Sequence, residues 1–250
     1  KEVIDLSTDY LDKAGLKSPR VDAEWLIGFA LNLNRMDLYL QFDRPLPEDE
    51  LCKIRPLISR RASGMPVQYI CGISEFYGID LAVGPGVLVP RPETELLVDH
   101  ALKNIPENAA VLDLCTGSGA IALALKHERP DLKITASDIS TETLNYAIKN
   151  AETLELEVEF LEGNLFTPVV GRTFDAITVN PPYVKPSERS LMGKDVLAHE
   201  PELALFSGED GLDLLRLISQ QGKDYLNTDG FFISEIGFQQ GADCLKLFES

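Results

Sequence analysis

Residues 110–138 restrict the possible folds more than any other stretch of the chain. Ala110-Val111-Leu112-Asp113-Leu114 is a short apolar run with the look of a buried strand. Cys115-Thr116-Gly117-Ser118-Gly119 is a tight glycine turn, and Ala120 to Leu125 begins a helix. Lys133-Ile134-Thr135-Ala136-Ser137 is a second strand, ending in Asp138, nineteen residues after Gly119. Strand, glycine turn, helix, strand and acid is the nucleotide-binding βαβ arrangement, which calls for a parallel sheet with helices packed on it. The glycines let the backbone approach a ligand closely. A carboxylate at the tip of the second strand can accept from both hydroxyls of a ribose.

The remaining strands extend the same sheet. A helix over Thr141 to Ala151 leads to a strand at Val158-Glu159-Phe160-Leu161, followed by Glu162 to Phe166, where Asn164 can reach an exocyclic amine. Phe174-Asp175-Ala176-Ile177-Thr178-Val179 is a fourth, β-branched strand, closed by Asn180-Pro181-Pro182-Tyr183. Two consecutive prolines have no N–H to donate and cannot continue a central strand, so the chain leaves the sheet there as a stiff loop. In a doubly wound sheet, ligands collect at the carboxyl ends of the strands. Four strand ends therefore gather Gly117, Gly119, Asp138, Asn164 and Asn180 round one crevice.

The chemistry of that loop is acceptor chemistry. Asn180 offers a side-chain carbonyl, the prolines offer backbone carbonyls, and Tyr183 offers an aromatic wall. Two acceptors suit a planar NH2 group, whose lone pair is delocalised and therefore a weak nucleophile. Gripping both N–H bonds aims the nitrogen at an electrophile and stabilises the positive charge that develops on attack. The neighbouring turn reads D-x-x-T-G-S-G rather than the G-x-G-x-x-G that cradles a pyrophosphate. The shorter form resembles the S-adenosylmethionine turn, where no phosphate must be held.

Elsewhere the pattern is helical. Ser18-Pro19 starts a helix with Val21, Trp25, Leu26, Phe29 and Leu33 at helical spacing, which places Trp25 in a core; Gly15 closes the helix before it. Pro47 starts another, with Leu51, Ile54, Leu57 and Ile58 on one face, Pro56 as a kink, and Arg60-Arg61 as a solvated end. Glu75 to Val83 reads as a hairpin turning near Gly78, with a further turn at Gly84-Pro85-Gly86. Pro92, Glu93 and Glu95 open a helix backed by Leu96, Leu97, Val98 and Ala101. Capping does not account for Arg91 beside them, which makes it a site candidate. Val184 to Leu205 is a long loop of the kind that forms lids. A helix from Gly211 to Leu226, a fifth strand at Gly230 to Ile236 and a last helix from Gln239 complete the chain.

Net charge narrows the partners. It is −17 over 250 residues: residues 1–72 hold 10 Lys and Arg against 11 Asp and Glu, and the rest holds 13 against 29. Such a surface repels phosphate backbones, which argues against direct nucleic-acid binding and for a neutral or basic protein partner. The four scattered cysteines and three scattered histidines show no metal-ligand spacing and fit free thiols in a reducing cytoplasm. The start of the chain has no signal-peptide pattern, and no stretch is apolar enough to span a membrane.

Four blocks carry a family resemblance: Leu88-Val89-Pro90-Arg91-Pro92-Glu93-Thr94-Glu95, Asp113 to Ala122, Asn180 to Tyr183, and Glu235-Ile236-Gly237-Phe238-Gln239-Gln240-Gly241. With them the chain resembles, over nearly all its length, the glutamine-N5 methyltransferases of peptide-chain release factors (the HemK/PrmC type). The resemblance implies an α/β fold: a small all-helical substrate-recognition domain over 1–72, a β-hairpin linker over 73–90, and a Rossmann-like class I S-adenosylmethionine-dependent methyltransferase domain over 91–250. It implies methylation of the glutamine in the Gly-Gly-Gln motif of class-1 release factors, by a monomer. Cys115, Thr116, Gly117, Ser118, Gly119, Asp138, Asn164, Leu165 and Asn180 would bind the cofactor. Asn180, Pro181, Pro182 and Tyr183 would hold the substrate glutamine and carry catalysis, with Arg91 as a further substrate contact.

There are departures from the family pattern. Cys115 stands where the family has Gly, so either this position does not need φ > 0 or the turn is altered. Leu165 stands where some members carry Trp. Sheets of this type add an antiparallel strand pair after the last helix, which implies a trimmed C-terminal end. Two other readings stay open. One is a methyltransferase acting on an exocyclic amine of a nucleic-acid base, which would need a basic groove or target-recognition domain. The other is a cofactor-binding scaffold without activity, which would show eroded glycines or a lost Asn180.

Overall fold

The structure, a computed structural model, describes residues 1–248. It divides into two compact units, one made of Lys1–Gly72 with Gly193–His199, the other of the rest.

The first unit is helical. It contains α1 (Glu2–Lys13), α2 (Pro19–Leu31), α3 (Arg35–Leu40), α4 (Glu48–Ala62) and α5 (Val67–Cys71). Pro19 occupies the first turn of α2, where its missing N–H costs nothing, and Asn34 caps α3 by accepting from the Asp37 N–H. Ile4, Leu11, Leu26, Ile27, Leu38, Ile54 and Ile58 form its core.

Two expectations fail here. Trp25 is not in the core: it is 43% exposed, in a stripe with Val21 and Phe29, while Ala23, Leu26 and Ile27 face inward. Helix α2 is apolar on two sides, and its smaller side chains allow the closer approach to neighbouring helices. Nor is Arg61 a solvated end. It is buried, with its guanidinium donating to Asp22 at 2.7 Å and lying 3.5 Å from Asp195. A buried charge needs such partners, and Asp22 is too remote in sequence to advertise itself.

The second unit opens with an antiparallel hairpin, β1 (Ile73–Phe76) and β2 (Ile79–Ala82), turning at Tyr77-Gly78 with both φ positive. A 3-10 turn at Pro92–Thr94 runs into α6 (Glu95–Asn104). Then follow β3 (Ala110–Leu114), α7 (Ala120–Glu128), β4 (Lys133–Asp138), α8 (Thr141–Leu154), β5 (Glu159–Glu162) and β6 (Phe174–Val179). The segment expected to be a loop contains two 3-10 turns and, between them, α9 (Lys194–His199), which belongs to the first unit. Helix α10 (Asp213–Gln221), β7 (Leu226–Ser234) and α11 (Gly241–Phe248) complete the described chain.

The sheet is parallel throughout, in the order β5-β4-β3-β6-β7. The chain reverses direction across the sheet between β3 and β6, and there the strand ends splay to leave a crevice. Both faces are covered. Val111, Ile134, Ala136 and Ala176 pack toward α6, α7 and the hairpin. Leu112, Leu114, Ile177 and Val179 pack toward Phe166, Phe174 and Ile218. This alternation produces the near-continuous apolar strands of a doubly covered sheet. Strand β7 begins at Leu226, inside the span expected to be helical, and an irregularity lies where Leu226 pairs with Phe174 and Phe231 with Ala176.

Candidate active site at the strand carboxyl ends

A cleft of about 1150 Å³, its open mouth included, lies over the ends of β3, β4, β5 and β6. Of the residues expected there, Cys115, Thr116, Gly117, Ser118, Asp138, Asn164, Leu165, Asn180, Pro182 and Arg91 line it. Gly119, Pro181 and Tyr183 do not. Gly119 sits behind the wall: its φ is +84°, and an added Cβ would meet Leu123 at 3.0 Å and Ala147 at 3.2 Å. Its absent side chain therefore serves the packing of α7 and α8 against the turn.

The turn is built on Asp113. This fully buried carboxylate accepts from Thr116 Oγ1 at 2.6 Å and from Thr178 Oγ1 at 2.8 Å, so it ties the glycine turn to β6. Burial pushes its pKa up to about 7 against the opposing pull of those hydroxyl donors. Cys115 takes φ +55°. The first alternative for this position is thus overturned: a non-glycine residue occupies the left-handed region, because the strand must turn back sharply over Asp113.

Asp138 joins turn to strand. Its Oδ2 accepts the Gly117 N–H and its Oδ1 the Ser140 N–H, both at 3.0 Å. Burial pushes its pKa up, and the backbone donors partly oppose this. Each oxygen keeps lone-pair capacity toward the cleft.

At the end of β6, Asn180 donates through Nδ2 to Thr94 Oγ1 at 3.1 Å. Thr94 Oγ1 donates to Glu235 Oε2 at 2.6 Å, and the Tyr183 hydroxyl donates to Glu235 Oε1 at 2.9 Å. Burial, together with the Glu235 charge, pushes the Tyr183 pKa up and keeps it a neutral phenol. Gln240, also buried, donates to the Tyr183 carbonyl at 3.0 Å and accepts the Gly237 N–H at 2.7 Å. Arg91 donates to both oxygens of Glu200 at 2.7 and 2.8 Å, and the adjoining Pro201, Leu203 and Ala204 line the cleft.

Sequence reasoning left Thr94, Asn150, Glu200, Glu235 and Gln240 without roles. Glu235 and Gln240 stand in a block whose spacing could have marked them. Thr94 was absorbed into a helix start. Asn150 is buried in α8 and bonds Ala82 N, Ala82 O and Ser118 O, clamping the hairpin to the glycine turn. No local pattern distinguishes it from a solvent-facing helix asparagine.

Fold and cleft define a Rossmann-like methyltransferase, and residues 92–210 match the methyltransferase small domain family. Residues 2–72 match the PrmC N-terminal domain family. The chain belongs to the release factor glutamine methyltransferase family. It is 40% identical over 248 residues to the release factor glutamine methyltransferase of Geobacter sulfurreducens, covering 99% of this chain and 87% of that one. To the Koribacter versatilis protein of the same name it is 42% identical over 241 residues, covering 95% and 86%. A methyltransferase structure from Pyrococcus furiosus shares the fold, with a TM-score of 0.51, 21% identity, and coverage of 68% of this chain and 75% of that one.

Proposed function

We propose that this chain transfers a methyl group from S-adenosylmethionine to the side-chain N5 of the glutamine in the Gly-Gly-Gln motif of class-1 release factors. The observation that carries this reading is Asn180, which lines the same cleft as the glycine turn and Asp138. The residues present fit the cofactor: a carboxylate with spare acceptor capacity at the tip of β4, an open backbone turn, and an apolar wall at Leu165 and Ile139. S-adenosylmethionine supplies an electrophilic sulfonium methyl.

The chain's own residues bind and aim. Asp138 would accept from the ribose hydroxyls, Gly117 and its neighbours would admit the ligand close to the backbone, and Asn164 with Leu165 would border the base. Asn180 Oδ1 would accept one N–H bond of the glutamine amide with Pro182 against its plane, while the Pro181 carbonyl, as second acceptor, and Tyr183 would act from the same loop just outside the lining. These acceptors stabilise the positive charge that grows on the amide as its nitrogen attacks. No general base is required, because an N-protonated amide loses its proton readily to water. Arg91 holds the segment from Glu200 to Ala204 over the cleft. The helical residues 1–72 act as the recognition domain, the hairpin over 73–90 as the linker, and 91–250 as the methyltransferase domain. The chain acts as a cytoplasmic monomer without direct nucleic-acid contact.

Methyl-labelled S-adenosylmethionine, the protein and a class-1 release factor decide the matter. Label mapped by mass spectrometry to the glutamine of Gly-Gly-Gln is expected. Label found only on added nucleic acid, or on no substrate, overturns the reading.

A further inference from the structure

The Glu235 block is the one stretch singled out in the sequence to which the reaction gives no task. We propose that Glu235 is a positioning residue: acting through Thr94, it fixes which face of the Asn180 amide meets the substrate. The inference rests on the methyl-transfer reading of the Asn180 loop.

It follows from donor counting. A carboxylate has no hydrogen to donate at neutral pH, so both of its partners must donate to it. Glu235 receives Thr94 Oγ1 at 2.6 Å on one oxygen and the Tyr183 hydroxyl at 2.9 Å on the other. The Thr94 hydroxyl has one hydrogen, and Glu235 takes it. Toward Asn180, 3.1 Å away, Thr94 can then only accept, so Asn180 must present its NH2. Its carbonyl Oδ1 is thereby turned from Thr94. Among the described residues Oδ1 has no hydrogen-bond partner, and it is not sealed from solvent. An asparagine amide is nearly symmetric in shape, so only such a chain of donors decides its orientation. Turned over, Asn180 would present N–H bonds to the N–H bonds of an incoming amide.

Glu235 is itself held in place. Its N–H donates to the Val179 carbonyl at 3.0 Å, at the end of β6 and one residue before Asn180. Thr94 is 4% exposed, so water cannot easily replace either partner.

The test uses the full chain with Glu235→Gln and Thr94→Val, both close in shape to the parent residues. Gln offers one donating end, which reverses either the Thr94 or the Tyr183 hydroxyl; Val removes the relay. Each is expected to lower kcat for release-factor methylation at least about tenfold, short of the effect of losing a direct contact, with cofactor Kd within about threefold. In an Asn180→Ala background each is expected to cost less than about threefold more, because residues in one chain of bonds are non-additive. A second readout needs no catalysis. The side-chain NH2 resonance of Asn180, identified by its loss in Asn180→Asp, is expected to shift in Thr94→Val with no ligand present. An unmoved resonance overturns the relay, even if the parent methylates no release factor, which would count against the proposed function instead. A kcat within twofold of parent in Thr94→Val, or a loss carried undiminished into Asn180→Ala, also overturns it.

Discussion

Replacing Asn150 removes a clamp whose three bonds can be counted. Its Oδ1 accepts the Ala82 N–H at 2.7 Å, and its Nδ2 donates to the Ser118 carbonyl at 2.9 Å and the Ala82 carbonyl at 3.2 Å. At about 1 kcal/mol net per bond, Asn150→Ala should lose about 3 kcal/mol. For a chain of this size that corresponds to a Tm fall of roughly 6–12 °C, read by calorimetry. Asn150→Asp sharpens the test. It keeps the acceptor for Ala82 N–H but aims a carboxylate oxygen at two carbonyls. Its ionised form is penalised in the fold, so its carboxyl pKa is raised above the unfolded value. The stability of Asn150→Asp should therefore be highest at low pH and fall as pH rises through that raised value. At pH about 7 it should be less stable than Asn150→Ala. Equal stability of the two at neutral pH, or a flat pH dependence of their difference, would refute the clamp.

Three further outcomes are expected. Asn180→Ala should lower kcat by a factor on the order of a hundred or more while cofactor Kd stays within about tenfold, measured by steady-state kinetics and calorimetric titration; unchanged turnover would remove Asn180 from the reaction. Asp113, with its folded-state pKa raised to about 7, holds a proton in the fold that the unfolded chain has lost. Parent stability relative to Asp113→Asn should therefore decline between pH about 4 and 7, by at most about 4 kcal/mol, in urea titrations at stepped pH; a rise would contradict the burial argument. At Cys115, with φ +55°, Gly should stay within about 1 kcal/mol of parent, whereas β-branched Val should lose about 2 kcal/mol or more; Val as stable as Gly would mean the turn relaxes.

Much of the sheet could be read from sequence because its signals are local. The glycine turn, Asp138 and the double proline each constrain the backbone within a few residues. They fix the carboxyl ends of three strands, and the cleft follows. What escaped reading depended on partners distant in the chain. Arg61 is buried only because Asp22 and Asp195 reach it. Asn227-Thr228-Asp229-Gly230 looks like a turn, yet it continues β7 through an irregularity in which Asp229 adopts φ +65°. Apolar residues on two sides of α2 gave periodicity no way to choose between Trp25 and Leu26. The oxygens of the Asn180 loop were legible as chemistry, but the side chains that orient them come from 86 residues before and 55 after.

The tie between Gln240 and the Tyr183 carbonyl has a bearing on synthesis. A nascent chain that has emerged only through Tyr183 already owns the glycine turn, Asp138 and the two prolines. It lacks Glu235 and Gln240, the groups that brace the loop from its outer side. Competence to grip an amide would then arrive with the residues that follow β7, so that a partly made enzyme could capture its methyl donor before it could engage a protein.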